Sequence, residues 1–369
     1  MTRDTKTAGR ARRLPAISIA LATCNGARYL PEQLASLVSQ RWLPYELVVT
    51  DDGSTDGTPE LVEIFAQHAP FPVRLYRNAA RLGYAENFLL AASHCRGDWI
   101  AFCDQDDVWR ADKLERVAAV AAEPGVTLVA HRVCTVDQNL QPLAGDTLHT
   151  WVRKRGSGPG RVAPFGFFAG MKICFDAALL PLLLERPRLP NFPGEHTEVA
   201  HDEWASLLGD VTGTVRVVEA PLVAYRQHGK NACGAPQAGL RHARARVAAS
   251  GAAAYRERAA IAAQYRDGLA HLAQRTPTRF APQLLDASRR YEAVGEYLLA
   301  RAALYESRSA WRLTAQFVSM CVHWRYRYNP LRPGVQACAK DLVLVARAWL
   351  RGRPAPTVPV AGTADGPRG

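Results

Sequence analysis

Between residues 16 and 130, apolar positions alternate between two patterns. Short unbroken apolar blocks occur at residues 16–22 (AISIALA), 46–50 (ELVVT), 73–76 and 98–103 (DWIAFC). Blocks of this length and composition predict buried strands. Between them apolar residues recur three and four apart, as in Leu34, Leu37 and Val38, or Leu61, Ile64 and Phe65. That period predicts helices over 30–40, 59–67, 85–93 and 113–122, with a further strand at 126–130. Pro31 suits the first turn of its helix. Strands that alternate with helices of about ten residues predict an α/β fold, a mostly parallel sheet flanked by helices. Ligands of such sheets sit beyond the carboxyl ends of the strands. Three polar loops occupy such ends: Cys24-Asn25-Gly26, the run from Asp51 to Asp56, and Asp104 to Asp107. They are expected to converge on one cleft.

Downstream the pattern is less regular. Residues 151–161 form a glycine-rich basic loop, residues 165–175 are aromatic and apolar, and residues 185–201 are proline-rich. A helical stretch opens at His201-Asp202-Glu203-Trp204, and a strand over 215–225 runs into Arg226-Gln227-His228-Gly229. After about residue 238 alanine and arginine dominate with helical periodicity. The expected organisation is a disordered basic tail over 1–14, a catalytic domain over 15–238, a helical C-terminal region over 239–351 and a disordered tail over 352–369.

Composition narrows the class. With 48% hydrophobic and 22% charged residues, the chain of 369 residues can bury a sizeable core. The formal net charge of +12 would suit nucleic acid, anionic lipid or phosphorylated substrates and does not choose among them. None of the eight cysteines forms a C-x-x-C pair, so reduced thiols of a cytosolic protein are expected and no zinc framework is visible. The basic N-terminus lacks an apolar segment after it, so no signal peptide is expected. No stretch approaches the roughly 18 apolar residues of a membrane span. The catalytic part is expected in the cytoplasm, with peripheral contact at the inner face of the plasma membrane left open. Residues 337–350, with Leu342, Val343, Val345 and Leu350 among Lys340 and Arg347, fit either an anionic membrane surface or packing on protein.

Several residues could carry chemistry. Asp104, Asp106 and Asp107 repel one another at a strand end, which a divalent cation would offset and a solvated turn would tolerate. Asp52 could accept hydrogen bonds from a ligand or belong to an Asx-rich turn. Arg77 and Arg81 could meet a diphosphate or serve as surface cations. Asp202 could be a general base or a helix cap. His228 could ligate a metal or be structural, and Arg226 could hold phosphate.

Taken together, these segments resemble family-2 glycosyltransferases of the GT-A fold, in their rhamnosyltransferase-like branch. The likeness rests on Thr23-Cys24-Asn25-Gly26, on Asp51-Asp52-Gly53-Ser54-Thr55-Asp56-Gly57, and on Arg81-Leu82-Gly83 with Asn87-Phe88. It continues through Gly97-Asp98-Trp99, Asp104-Gln105-Asp106-Asp107-Val108-Trp109, His201-Asp202 and the run from Tyr225 to Asn231, in the family's order across roughly 15–235. The resemblance implies that Asp52 binds the nucleobase, that Asn25 lies with the donor-binding residues, and that Arg81 approaches the diphosphate. Asp104 would contact ribose and Asp106 would bind Mg2+ or Mn2+. Asp202 would deprotonate the acceptor hydroxyl. His228 would be a further metal ligand and Arg226 would lie near the diphosphate. Cys24 stands where the family commonly has an aromatic residue, which puts base stacking there in doubt.

The expectation is therefore an inverting, metal-dependent glycosyltransferase. Its best donor is dTDP-L-rhamnose, and its acceptor is a cell-surface glycan or a lipid-linked glycan, not nucleic acid. The competing readings are a nucleotide-sugar-binding protein without turnover and a nucleotidyltransferase. A dinucleotide oxidoreductase is poorly supported because no G-x-G-x-x-G follows the first strand.

Overall fold

The computed structural model describes residues 14–143, 159–160, 162–191, 198–229, 251–275, 279–323, 325–329 and 334–351. The expected tails apart from Leu14, residues 151–158 and 161 of the basic loop over 151–161, and residues 230–231 of the last motif lie outside them.

The chain opens with β1 (Ile17–Thr23), α1 (Leu30–Val38), β2 (Glu46–Asp51), α2 (Thr58–Ala66), β3 (Val73–Arg77), α3 (Tyr84–Ser93) and β4 (Trp99–Cys103). It continues with β5 (Val108–Trp109), α4 (Lys113–Ala121), β6 (Val126–Val136), β7 (Ile173–Asp176), α5 (Leu180–Leu184), α6 (His201–Thr212) and β8 (Thr214–Arg226). The expected strands and helices of this part stand within two residues of their predicted starts. The exceptions are the short β5, β7 and α5, which the periodicity does not reveal.

The eight strands form one sheet in the order β3-β2-β1-β4-β7-β6-β8-β5. Its first half is parallel, with Thr23 beside Asp51 and Leu21 beside Cys103. β7 then runs antiparallel to both β4 and β6, which returns β6 and β8 to the direction of β4. The carboxyl ends of β1, β2, β4 and β8 consequently share one edge of the sheet. The sheet is mixed, with helices on both faces, and the GT-A type α/β architecture is present.

Period-two alternation explains the two cores. Ile17, Ile19 and Leu21 bury one face against Leu34, Leu37 and Leu114. Ala20, Ile100 and Phe102 bury the other against Phe88, Trp204 and Tyr291. Tyr291 belongs to the C-terminal helices α7 (Ala252–Arg275) and α8 (Ala281–Glu306), which precede α9 (Ala310–Val322) and α10 (Gly334–Arg351). The described residues divide into two compact units, one within 1–242 and 261–292 and one within 243–260 and 293–369.

The second unit has its own core. Tyr297, Leu298, Leu313, Met320 and Tyr326 are buried in it. A buried ion pair joins Arg301 to Asp341, whose other oxygen accepts the Tyr326 hydroxyl at 2.9 Å. Val345, which with Leu342, Val343 and Leu350 fits either a membrane surface or packing on protein, is turned inward and buried.

Candidate active site

The loop after β1 is held between its two neighbours. Asn25 adopts a left-handed backbone, φ 48°. Its side chain accepts the Thr55 N–H at 2.9 Å, and its own N–H donates to Ser54 Oγ at 2.8 Å. On the other side Gln105 grips Cys24, accepting its N–H at 2.9 Å and donating to its carbonyl at 3.1 Å. Gly26 makes room for that grip: a Cβ there would lie 2.1 Å from the Gln105 amide oxygen. Sequence pattern does not reveal this role of Gln105, because its partner lies 81 residues away.

The loop after β2 consumes its own carboxylates. Asp51 accepts Thr23 Oγ1 at 2.8 Å, the Ser54 N–H at 2.8 Å and the Ser54 hydroxyl. Asp52, nearly buried, accepts the Leu82 N–H at 2.7 Å, the Gly83 N–H at 2.9 Å and Asn78 Nδ2 at 3.0 Å. Burial raises the Asp52 pKa, but the three donors and the nearby Arg81 charge together bring it below the ordinary carboxylate value. Asp52 thus folds residues 78–83 back over the strand ends. Arg81, exposed, then lies with its guanidinium 2.7 Å from Cys24 Sγ. Arg77 points away to Glu60 and Glu63.

The loop after β4 has fewer donors. Asp104 is pushed up to about 8, first by burial and then by the charges of Asp106 and Asp202. Asp107 is fully buried: one oxygen accepts the Arg226 N–H at 2.9 Å and the other has no hydrogen-bond partner. Burial, then Asp104 and Asp106, push its pKa well up. Asp106 meets His228, with Nε2 2.8 Å from Oδ2. The imidazole is fixed by stacking on Tyr29, ring centres 4.6 Å apart.

Arg226 is turned inward. It is 1% exposed, and its guanidinium bonds Glu32, the Asp106 carbonyl at 2.7 Å and the Gln138 carbonyl at 2.7 Å, over the Tyr29 ring. Its charge braces the acidic loop from beneath. Tyr225, one residue earlier on β8, takes the place facing the cleft.

The opposite wall comes from α6. Asp202, Ser206 and Asp210 are spaced four apart, which places them on one helix face. Each holds a backbone N–H of one irregular strap: Gly170 at 2.9 Å, Phe168 at 3.0 Å and Val162 at 2.7 Å. Arg290 closes the far end, 3.2 Å from Asp210 and bonded to the Val162 carbonyl. Asp202 also gains from its position in the first turn of the helix, near the positive end of the helix dipole. The adjacent His201 is buried among Phe88, Phe102 and Tyr84, and burial holds its pKa below the ordinary imidazole value.

These walls enclose a cleft of about 490 Å³. Asp52, Arg81, Asp104, Asp106 and Asp202 line it. Asn25, Arg226 and His228 are not among its lining residues: the first knits two loops and the third reaches it through Asp106. Gln105, Tyr84, Phe88, Met171 and Tyr225 line it without having been assigned roles from sequence. Among the described residues no group of three or more His, Cys, Asp and Glu is arranged around a common metal position. Two donors nonetheless face each other, Asp106 Oδ2 and His228 Nε2. A hard cation held by one carboxylate needs its remaining ligands from substrate phosphate oxygens and water, so this pair fits such an ion.

Residues 18–172 match the family model described as Glycosyl transferase family 2. Over 100 residues, 27% of this chain, the sequence is 35% identical to the abequosyltransferase RfbV of Salmonella typhimurium. Over 99 residues, 26% of this chain, it is 32% identical to the dTDP-rhamnosyl transferase RfbG of Shigella flexneri. These alignments span 30% and 34% of the two relatives, about a third of their length. Among solved structures, residues 1–349 of S. aureus TarS in complex with UDP-GlcNAc align over 92% of both chains, with 13% identity and a TM-score of 0.49. The matched segment carries the three strand-end loops, the acidic run among them. Over residues 18–172 the chain is thus similar to glycosyltransferase family 2.

Proposed function

We propose that the protein transfers a sugar from a nucleotide diphosphate donor to a glycan hydroxyl with inversion at the anomeric carbon. The observation that carries this reading is the arrangement of carboxylates across the cleft. Asp104 and Asp106 stand at the end of β4, Asp52 is held by the N–H groups of the loop it shapes, and Asp202 stands apart from them on α6. One carboxylate facing the acceptor supports direct displacement, in which Asp202 takes the acceptor proton as the new glycosidic bond forms. The leaving nucleotide diphosphate gains negative charge, and Arg81 is the cleft-lining arginine available to it. Asp106 and His228 would hold Mg2+ or Mn2+, which when bound supplies charge stabilisation to the diphosphate. Asp104 would contact the ribose. Asp52 serves the nucleobase end and shapes the loop that carries Arg81. Asn25 and Arg226 support this site by positioning its loops.

The donor we propose is a 6-deoxyhexose nucleotide, dTDP-L-rhamnose first. The two transferases named above act on abequose and rhamnose, both of which lack the 6-hydroxyl. Ala22, Tyr84, Phe88 and Met171 give the cleft an apolar wall for a methyl group. The acceptor would be a cell-surface or lipid-linked glycan at the cytoplasmic side of the envelope.

The test is turnover of purified protein with a panel of nucleotide sugars and Mg2+ or Mn2+, with the product's anomeric configuration read by NMR. Transfer from a 6-deoxyhexose donor with inversion is expected. Retention of configuration would overturn the single-base mechanism. A melting-temperature rise with nucleotide diphosphate but no transfer to any glycan would leave a binding protein instead.

A further inference from the structure

The second unit carries a surface that the transfer chemistry does not use. In α9, Trp311, Ala315, Val318 and Val322 recur at spacings of four, three and four, which align them along one face. All four are exposed, Trp311 by 73% and Val322 by 66%. In α10 the inward face is Ala337, Asp341 and Val345. Its opposite face is also apolar: Val335, Leu342, Val343, Trp349 and Leu350, exposed by 81%, 54%, 50%, 39% and 66%. A surface helix of a soluble protein places polar residues there. The two stripes are joined, because the Trp311 and Trp349 rings meet edge to face at 4.8 Å and Trp349 Nε1 donates to Thr314 Oγ1 at 3.0 Å. The result is a contiguous apolar surface built on two helices, of the kind that marks a docking site rather than scattered exposure.

Charge selects the occupant. Residues 307–351 contain eight Lys and Arg and one acidic residue, Asp341. Asp341 is buried and spent on Arg301, so it offsets nothing at the surface. Within α10, Lys340 and Arg347 fall on the same flank of the apolar stripe, seven residues apart. Arg312 follows Trp311 on α9 and is exposed. A second copy of the same face would set these cations against each other across a two-fold axis. An anionic lipid surface would accept the apolar stripe among its acyl chains and the cations among its headgroups. No described helix is long and apolar enough to cross a membrane, so the contact is one of lying on the surface.

We propose that the α9–α10 face docks on an anionic lipid bilayer, with Trp311, Leu342 and Leu350 as apolar anchors and Arg312, Lys340 and Arg347 at the headgroups. The inference is independent of the donor, the acceptor and the metal. The test uses the full chain and sedimentation with phosphatidylcholine vesicles that contain or lack phosphatidylglycerol. Binding to the anionic vesicles, weakened at least tenfold by raised salt, is expected. The exposed double substitution Trp311→Ser/Leu350→Ser should lower partition at least tenfold while the circular dichroism spectrum stays that of the wild type. Arg312→Gln/Lys340→Gln removes charge without touching the apolar stripe and should lower anionic binding several-fold. Failure of the wild type to bind anionic vesicles at low salt overturns the proposal. So does equal binding to neutral vesicles, or unchanged binding by both variants. Light scattering that shows a dimer broken by the same substitutions would make the face a self-association surface instead.

Discussion

The loop after β2 and the loop after β4 are alike in composition and opposite in use. Both place three aspartates at a strand end on the same edge of the sheet. After β2, N–H and O–H groups meet the carboxylates, and Asp52 and Asp56 end with lowered pKa values although burial opposes it. After β4 the donors are scarce, and burial with mutual repulsion drives Asp104 and Asp107 upward. The first loop spends its charge on its own shape. The second holds its carboxylates in reserve, and the cation proposed above would offset their repulsion. A count of acidic residues does not separate the two; the supply of local donors does.

The largest expected effects would break the reserve. Asp202→Asn removes the base and should lower kcat by roughly 10²–10⁴-fold, the usual range for a positioned general base. Asp106→Asn should cost a comparable factor and make turnover insensitive to added Mg2+ or Mn2+. The contrast lies in stability: Asp106→Asn relieves repulsion, so the melting temperature without metal or nucleotide should hold or rise. If Asp202→Asn kept normal turnover, the base would lie elsewhere. If Asp106→Asn melted well below the wild type, the second loop would be as structural as the first.

Asp52 sharpens the comparison from the other side. Asp52→Ala leaves the Leu82 and Gly83 N–H groups without their acceptor. Orphaned donors cost about 1–3 kcal/mol, which corresponds to a melting temperature lower by roughly 3–10 °C in a domain of this size. KM for the donor should rise with it, because residues 78–83 carry Arg81. Unchanged melting with raised KM would mean that Asp52 serves the ligand alone and that water replaces it in the loop.

Much of this contrast was open to inspection in the sequence, and the rest was not, for physical reasons. Period-two blocks located β1, β2 and β4, and carboxyl ends of neighbouring parallel strands must meet, so the cleft followed from pattern alone. Asp52, Arg81, Asp104, Asp106 and Asp202 all line it. What pattern does not carry is side-chain direction over long separations. Nothing local tells that Arg226 folds inward onto Glu32, 194 residues away, while its neighbour Tyr225 faces the cleft. The Gln105 grip on Cys24 depends on a contact across 81 residues, and its one local trace is Gly26, where any Cβ would collide. The ladder of Asp202, Ser206 and Asp210 does have a local signature, a polar residue every fourth position. Its meaning appears only when the strap from Val162 to Gly170 is laid along it. The two-residue β5 is too short for any period to announce.

The smallest expected effect concerns pH, and its sign separates the loops cleanly. Asp104 has a folded pKa of about 8 against an ordinary value of 3.8. Between these values the folded chain holds a proton that the unfolded chain releases. The stability tied to that proton is therefore complete below about pH 4 and is lost as pH rises towards 8. Asp107 acts in the same sense. The buried His131 and His201 act oppositely, because their lowered pKa values withdraw stability as pH falls below 6.5. The raw pH profile mixes these contributions, and the informative quantity is the difference between the wild type and Asp104→Asn without metal. Below about pH 4 the side chain is neutral in both the folded and the unfolded wild type, and the difference between the two proteins should be smallest there. At pH 8 the asparagine form should be the more stable, by more than about 1.4 kcal/mol, since the shift exceeds one pKa unit. For Asp52→Asn the same comparison runs the other way: its folded pKa is depressed, so the wild type keeps its advantage throughout this range and loses it only as pH falls through that value. A flat or reversed Asp104 difference would mean that its carboxylate is already ionised in the folded chain, and the second loop would then hold no reserve to discharge.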